Sequence, residues 1–544
     1  MTARYWKGRE VLKEYKQGRL VYEKSTSIPD YLCFTALEAG QFTLTIPAAV
    51  TSDNLTYVEY SLDGRNWTRL TVDDTTQSLT TPTIQAGGKV YWRGSGIQYM
   101  TSDSRTNNYF NKTSYFSSSN RFDASGNIMS MLYADDFEGK TAFPGTSNQY
   151  YNIGAMFQHC EFLVHAADLL LPATTLKHLC YTGMFFYCTM LVDAPSLPAT
   201  VISNANYCYR YMFQGCSSLI TPPDLSHVTT TARRGLYAMF NGCSSLTTVT
   251  LPQASHLMQY CYYDMYRGCT SITSADLSSA RTIDTHACEN MFYGCSSLSY
   301  VKCLATDISA TDCLTNWLLN ASSTGTFIQA SGVTWPRGAS GIPTGWVDVE
   351  KRTMPSGYKQ LLQVTSNGTA YIQLSFGFEE TDEVAATFSV DNTQGNDKYI
   401  VSSQTWNSNN NRYGLGQHLA NHYYTPAFGG LSTGQTCLTP LTANNGELHN
   451  WTYASRLFTL VDLSLSKDVS SITFGGVTTN LRLFYGMAPN NTKGAISSYK
   501  HIKGSTTACD FVAAIRESDN TAGLYDLAND EFMTCNGLTA GEEI

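Results

Sequence analysis

Met239-Phe240-Asn241-Gly242-Cys243-Ser244-Ser245-Leu246 is the stretch on which the reading of this chain turns. Its frame, Met-(Phe/Tyr)-x-x-Cys, occurs six times and ends at Cys160, Cys188, Cys216, Cys243, Cys269 and Cys295, at spacings of 28, 28, 27, 26 and 26 residues. Three positions after each Cys stands Leu163, Leu191, Leu219, Leu246, Ile272 or Leu298. A fixed period of this size implies one supersecondary unit per copy, able to bury its apolar face only against its neighbours. The six Cys are therefore read as the structural core of a stacked array. Met239 and Cys243, at i and i+4, predict a short helical turn with both on one face. Gly242, like Gly215, Gly268 and Gly294, predicts a close approach or an unusual backbone angle. Leu246 leads into a strand with Val249 and Leu251 on one face. Ala275/Leu277 and Val301/Cys303 hold the same places, so the strands are expected to stack into one parallel sheet. Trp317-Leu318-Leu319-Asn320 repeats the frame without its Cys, and the Pro- and Gly-rich run from Trp335 to Trp346 closes the array.

Outward from the repeats, the chain reads as mostly β and multidomain. It has 544 residues, 35 Tyr, 24 Phe and only 15% charged residues, with a net charge of −9. Abundant Tyr and Phe favour strands and an acidic balance argues against a nucleic-acid partner. No apolar run is long enough to cross a membrane. The early basic residues of Met1–Glu10 lack an apolar core and a cleavage site, so export by a secretory signal is not expected. Twelve of the sixteen Cys lie between Cys160 and Cys313. Side chains stacked one above another point the same way, which suits small buried hydrophobes better than disulfides. No Cys-x-x-Cys pair points to zinc.

The expected divisions are a docking segment over 1–26 with paired short strands, a small β-sandwich over 27–98, and a polar linker or cap over 99–126. The repeat array follows over 127–348, with Asn127–Tyr133 as a degenerate first copy. A linker over 349–357 leads to a β jelly roll over 358–544. In the sandwich, Phe42–Ile46 alternates in the manner of a half-buried strand and Asp63-Gly64 marks a turn before Trp67.

A glycan-cleaving enzyme needs two carboxylates across a groove. Asp135-Asp136 and Glu379-Glu380 are adjacent in sequence, and such acids more commonly sit solvated in loops. Gly430-Leu-Ser-Thr-Gly434 matches a nucleophile elbow in letters, but Pro426 precedes it closely and Gln435–Pro440 follows with no helical pattern, so a chance match in a Gly/Ser-rich turn is the reading. His418 and His422 have ligand spacing for a helix, in surroundings that read as loop and strand. Asp391, Asn392, Asn396 and Asp397 could hold calcium through oxygen ligands, or simply form a polar turn, so no cofactor is assigned. Trp406, Tyr413, Tyr423, Tyr424 and Trp451 are expected in polar loops, with Asn409–Asn411 beside them. As a group they are the expected ligand-binding residues, since sugar rings stack on exposed aromatic faces; singly, each also suits a β core.

The repeats resemble BspA-like leucine-rich repeats, through the frame Met-Phe-x-Gly-Cys-Ser-Ser-Leu, Cys303–Ala310 and the closing Gly341-Ile-Pro-Thr-Gly-Trp346. Cys33–Glu38 and Tyr60–Trp67 are similar to the module that precedes such repeats in gut-bacterial proteins and their prophages. Tyr358–Leu362, Gly368–Ile372, Phe511–Asp519 and Gly523–Leu527 resemble the concanavalin-A/laminin-G-like jelly roll of tail and fibre proteins of gut phages, crAss-like phages among them. Phe532-Met-Thr-Cys-Asn536-Gly537 departs from the usual ending of that family.

The resemblance implies a small sandwich, a leucine-rich-repeat solenoid with a short helix and a strand per repeat, and a terminal jelly roll. It implies a non-enzymatic virion protein, a tail or head fibre that binds a host cell-surface polysaccharide at the virion surface. Other virion proteins would hold its N-terminus, and a homotrimer is left open. A bacterial surface adhesin of the same modules and a glycan-cleaving tailspike are the alternatives.

Overall fold

The computed structural model describes residues 28–47, 57–72, 75–95, 113–144, 153–356, 358–361, 363, 496–502, 505–534, 538–541 and 543 in full, and only the backbone of some strands elsewhere. The described residues are mostly β, with Ser130–Tyr133 as their single α-helix. Two compact units emerge: Met1–Val301, Ala305–Ser322 and Pro336–Gly341 form the first, and Lys302–Leu304, Ser323–Trp335 and Ile342–Ile544 the second.

The first unit begins with two backbone hairpins, Tyr5–Trp6 with Arg9–Glu10 and Lys13–Lys16 with Arg19–Glu23. A two-sheet sandwich follows. One sheet runs in the order Phe122–Asn127, Leu32–Ala36, Lys89–Ser95, Tyr57–Ser61, Thr68–Thr71, and the other pairs Phe42–Ile46 with Tyr115–Ser118 and Gln77–Thr80. Alternation puts Phe42, Leu44 and Ile46 inside and the intervening Thr outside, as a half-buried strand requires. Rings from the two sheets meet across the core, Phe34 with Phe42 at 5.4 Å and Trp92 with Phe116 at 4.9 Å. At the predicted turn, Asp63 accepts from the backbone N–H of Arg65 and Asn66, and Gly64 takes φ 66°.

The segment expected to be a polar linker over 99–126 is corrected here. Its second half supplies a strand to each sheet, because Phe116, Phe122 and Ala124 are buried and alternate with Tyr, Ser and Asp. Strand Phe122–Asn127 is antiparallel to Leu32–Ala36 on one edge and parallel to Leu163–His165 and Leu169–Leu170 on the other. The sandwich therefore runs into the repeats through one shared strand. The expected degenerate copy at Asn127–Tyr133 also packs on the sandwich: Ser130 Oγ donates to the Trp92 carbonyl and accepts from the Leu32 N–H.

In the repeats the expected helical turn is replaced by something else. In the fourth copy, the N–H groups of Arg234, Leu236, Ala238, Phe240 and Gly242 donate to carbonyls of the next copy. Those of Gly235, Tyr237, Met239, Asn241 and Cys243 donate three residues back within the copy. Every N–H of the run is thereby paired, half of them across copies. The alternation needs a left-handed residue at every fourth position: Arg234 (φ 55°), Ala238 (51°) and Gly242 (79°), matched by Tyr260, Asp264 and Gly268 in the next copy. Met239 and Cys243 both face inward as read from sequence, but on a run of turns.

The expected strands form in the later copies, at Ser274–Leu277 and Tyr300–Cys303 with Ala275, Leu277, Val301 and Cys303 buried. Elsewhere in the coils the continuous parallel sheet is corrected to short pairs and single bridges, such as His256–Leu257 with Thr282–Ile283 and His165 with Asp193. Pro195, Pro198, Pro222, Pro223 and Pro252 occupy that side of the coils, and proline has no N–H to offer a ladder.

The interior is a set of vertical rows. Phe157, Phe185, Phe213, Phe240, Tyr266 and Phe292 stack at centroid spacings of 5.2–5.6 Å with interplanar angles of 4–16°. Phe116 of the sandwich continues the stack onto Phe157 at 5.6 Å. Beside the rings, each repeat thiol after the first donates to the backbone carbonyl of the aromatic residue in the preceding copy: Cys188 to Phe157 at 2.9 Å, and Cys216, Cys243, Cys269 and Cys295 to Phe185, Phe213, Phe240 and Tyr266 at 3.1 Å. A small residue with a weak donor fits that slot. All fourteen described cysteines are buried and free.

In the second unit, Gly325–Ala330 pairs in parallel with Trp346–Lys351, so the expected linker over 349–357 is in part a strand with Val349 buried. Beyond it the strands are antiparallel, and Lys493–Lys503, Thr506–Arg516, Thr521–Asp526 and Glu531–Met533 pair in sequence. Tyr358 packs its ring on Tyr525 at 4.6 Å. Gly523 is required there: a Cβ would stand 2.4 Å from the Met533 carbonyl oxygen.

Candidate functional site

The run of turns that closes the core also builds a surface. Five residues before the Met of its own copy stand Tyr207, Arg234, Tyr260 and His286, and two before it stand Arg210, Tyr237, Tyr263 and Glu289. Stacking of copies turns these positions into two columns of half-buried side chains.

In the first column the Arg234 guanidinium lies between two phenol rings, 5.6 Å from the Tyr207 centroid and 4.6 Å from that of Tyr260. Tyr260 in turn stacks on His286 at 4.7 Å and 9°. In the second, Arg210 lies 5.2 Å from the Tyr237 ring, which stacks on Tyr263 at 4.7 Å and 8°. Cation–π contact holds a guanidinium there while leaving its charge uncancelled.

The two arginines are bonded to phenols. Arg234 Nη1 donates to the Tyr207 hydroxyl at 3.0 Å and Arg210 Nη2 to the Tyr211 hydroxyl at 2.7 Å. The Nε of each is buried without an acceptor among the described residues. Arg233, exposed, donates to Gln259 at 3.0 Å. The later copies are balanced: Arg267 pairs with Asp264 at 3.3 Å and His286 with Glu289 at 2.5 Å. Burial, reinforced by the neighbouring Tyr211 and Tyr263, pushes the Tyr237 phenol up, so it stays a neutral donor. Burial also raises the Asp264 carboxyl, against the pull of Arg267. One end of the face is thus cationic and the other mixed.

Sequence reading passed over this face because the conspicuous signal was the Met-Phe-Cys core. The signal was present as Tyr and Arg recurring at two fixed offsets from Met.

The five aromatic residues expected to bind ligand lie elsewhere. The expectation of loops is corrected for four of them by the backbone: Tyr413 opens strand Tyr413–His418, Tyr423 and Tyr424 open Tyr423–Phe428, and Trp451 is in His449–Ala454. Strand register, set by pairing with neighbours, overrode the polar composition. Trp406 lies outside the described residues, as do Glu379, Glu380, Gly430–Gly434, His422 and the cluster Asp391, Asn392, Asn396 and Asp397. His418 ends a strand.

Asp135 and Asp136, expected as solvated loop acids, are exposed, on the single turn Ala134–Asp136, and each has a partner. Asp135 accepts from the Tyr31 hydroxyl at 2.6 Å and pairs with Arg93, while Asp136 pairs with Lys140 at 3.1 Å. Arg93 also pairs with the buried Glu59 at 2.6 Å and lies 3.9 Å from the Trp67 centroid. These acids serve the sandwich. Among the described residues no group of three His, Cys, Asp or Glu could hold a metal ion, and no helix is long and apolar enough to cross a membrane.

No protein-family model matches the chain, and no curated protein or solved structure is significantly similar to it. The likeness to BspA-like repeats and to laminin-G-like sandwiches therefore rests on the residues quoted above.

Proposed function

We propose that this chain is a non-enzymatic structural protein of a phage virion, a tail or head fibre that displays binding surfaces to the host cell. The coils are read as a BspA-like leucine-rich-repeat solenoid and the C-terminal antiparallel strands as a concanavalin-A/laminin-G-like jelly roll. The partner is a cell-surface polysaccharide, met by the C-terminal domain, with the N-terminal hairpins held by other virion proteins.

The observation that carries the reading is the stack of near-identical coils. Such an array gives length and a repeating surface. Several weak sites on each of several copies per particle multiply into avidity far above that of one site.

The test is immunogold electron microscopy with antibody against residues 358–544, on purified phage particles and on uninfected host cells. Label on distal projections of the particle is expected and would separate head from tail. Label on uninfected cells with none on particles would replace this reading by that of a bacterial adhesin.

A further inference from the structure

We infer that the tyrosine–arginine face of the coils is a second binding site, for an acidic polysaccharide bearing spaced carboxylates. That the ligand is a glycan rests on the proposed function; that it is anionic rests on the face itself.

Arg210 and Arg234 are half-buried cations in a chain of net charge −9, and neither has a carboxylate partner among the described residues. A guanidinium carries five N–H donors, yet Arg210 and Arg234 each make one side-chain hydrogen bond among the described residues, to a phenol. A phenol is a neutral acceptor; a carboxylate offers a charge-assisted bond of roughly twice the strength. The two cations stand in adjacent copies and are fixed by rings on either side, so little side-chain freedom would be lost on binding.

The rings define the rest of the ligand. Tyr237 and Tyr263 stack on each other at 4.7 Å, so each covers the other's face. A column of this kind offers hydroxyls and ring edges, repeated at about the length of one sugar ring. Sugar hydroxyls match a row of phenol hydroxyls, each of which donates and accepts. Asp264 and Glu289 at the far end of the face select against a densely charged polyanion such as nucleic acid, and favour a polymer whose charges are spaced.

The test uses the full chain and hyaluronate, in which carboxylated and neutral sugars alternate, with carboxyl-reduced hyaluronate as the uncharged counterpart. Titration calorimetry at low salt is expected to show binding to hyaluronate. The reduced polymer and the variant Arg210→Gln/Arg234→Gln should each lose at least about tenfold in affinity, the effect of removing a charge-assisted contact. Arg121→Gln, a change at an arginine paired with Glu38 on the sandwich, should leave binding unchanged. Circular dichroism establishes that the variants are folded. If the double variant unfolds, the wild-type protein decides the matter alone: equal binding of the two polymers, or binding unaffected by salt, overturns the proposal. No binding to hyaluronate, or an unchanged affinity in the folded double variant, overturns it as well. Anion binding by a protein that immunogold places on cells and not on particles would sink the virion reading and leave this site standing.

Discussion

Replacing Phe213 by Ala removes the ring at the middle of the aromatic stack. Phe213 is fully buried and stacks on Phe185 at 5.2 Å and on Phe240 at 5.6 Å, each at 4°. Its own carbonyl holds the Cys243 thiol, and that backbone bond survives the substitution. The cost is the lost transfer of the ring plus the cavity left between two rings that cannot close up, about 3–5 kcal/mol. At 1.4 kcal/mol per factor of ten, local opening becomes easier by roughly two to three and a half powers of ten. Hydrogen exchange with mass spectrometry reads this directly, because the N–H groups of each copy are held by the next. Peptides covering 180–245 should exchange faster by that factor, while peptides covering 506–526 should not change. Phe213→Tyr is the informative companion. Tyr266 occupies the same row and donates its hydroxyl to the Thr250 carbonyl at 2.7 Å, so a phenol at 213 is tolerated only if it finds such an acceptor. Acceleration of less than about tenfold in the Ala variant, or equal acceleration in both sets of peptides, would refute the picture of a stack that carries each coil on its neighbours.

Gly215→Ala should destabilise more than Gly242→Ala. Both positions have positive φ, which costs about 1–2 kcal/mol for a residue with a side chain. A Cβ at 215 would also stand 2.9 Å from the Tyr187 ring, whereas at 242 it meets only Gly215 Cα at 3.8 Å, so thermal midpoints should rank wild type, Gly242→Ala, Gly215→Ala. His165 and Asp193 form a pH-dependent clasp at 2.5 Å. The Asp193 hydrogen bond raises the His165 pKa, a contribution present below the free value of about 6.5 and lost as pH rises through the folded value. Burial raises the Asp193 carboxyl, but His165 and the N–H groups of Ala166 and Ala167 outweigh it, and the net depression is a contribution lost as pH falls through the folded value. The midpoint difference between wild type and Asp193→Asn should therefore peak between roughly pH 4 and 6.5, and a flat difference across that range would remove the clasp. Burial pushes the Cys160 and Cys180 thiols up to about 12, so native alkylation with iodoacetamide should leave the described cysteines unmodified, and reductant should not move the thermal midpoint.

The inward rows were legible without coordinates. Met239, Phe240, Cys243 and Leu246 are apolar at a fixed period, and residues that recur at the same place in every copy must share one environment in a stack. The mostly β character and the Asp63-Gly64 turn were equally readable, because aromatic alternation and an Asp that accepts two backbone N–H groups are local properties. Local composition misled at 113–127, where Ser and Asn surround Phe116 and Phe122. Those two rings are buried only because strands distant in sequence pair beside them. The loop placement of the expected ligand residues was misread for the same reason: Tyr413 and Trp451 sit among polar residues yet belong to strands set by their partners.

What the sequence determined by itself is the repeat, its register and the side chains that fill its interior. The path of the backbone between Met and Cys, and with it the outer face, is set by the stacking of copies. A spacing of four places residues on one side of a helix and equally on one side of a run of turns with a left-handed residue at every fourth position. Arg234 and Ala238 carry no preference for positive φ; they adopt it because their N–H groups find carbonyls in the next copy. Those bonds bring Tyr207, Arg234 and Tyr260 into one column, and no single copy contains enough of the column to reveal it.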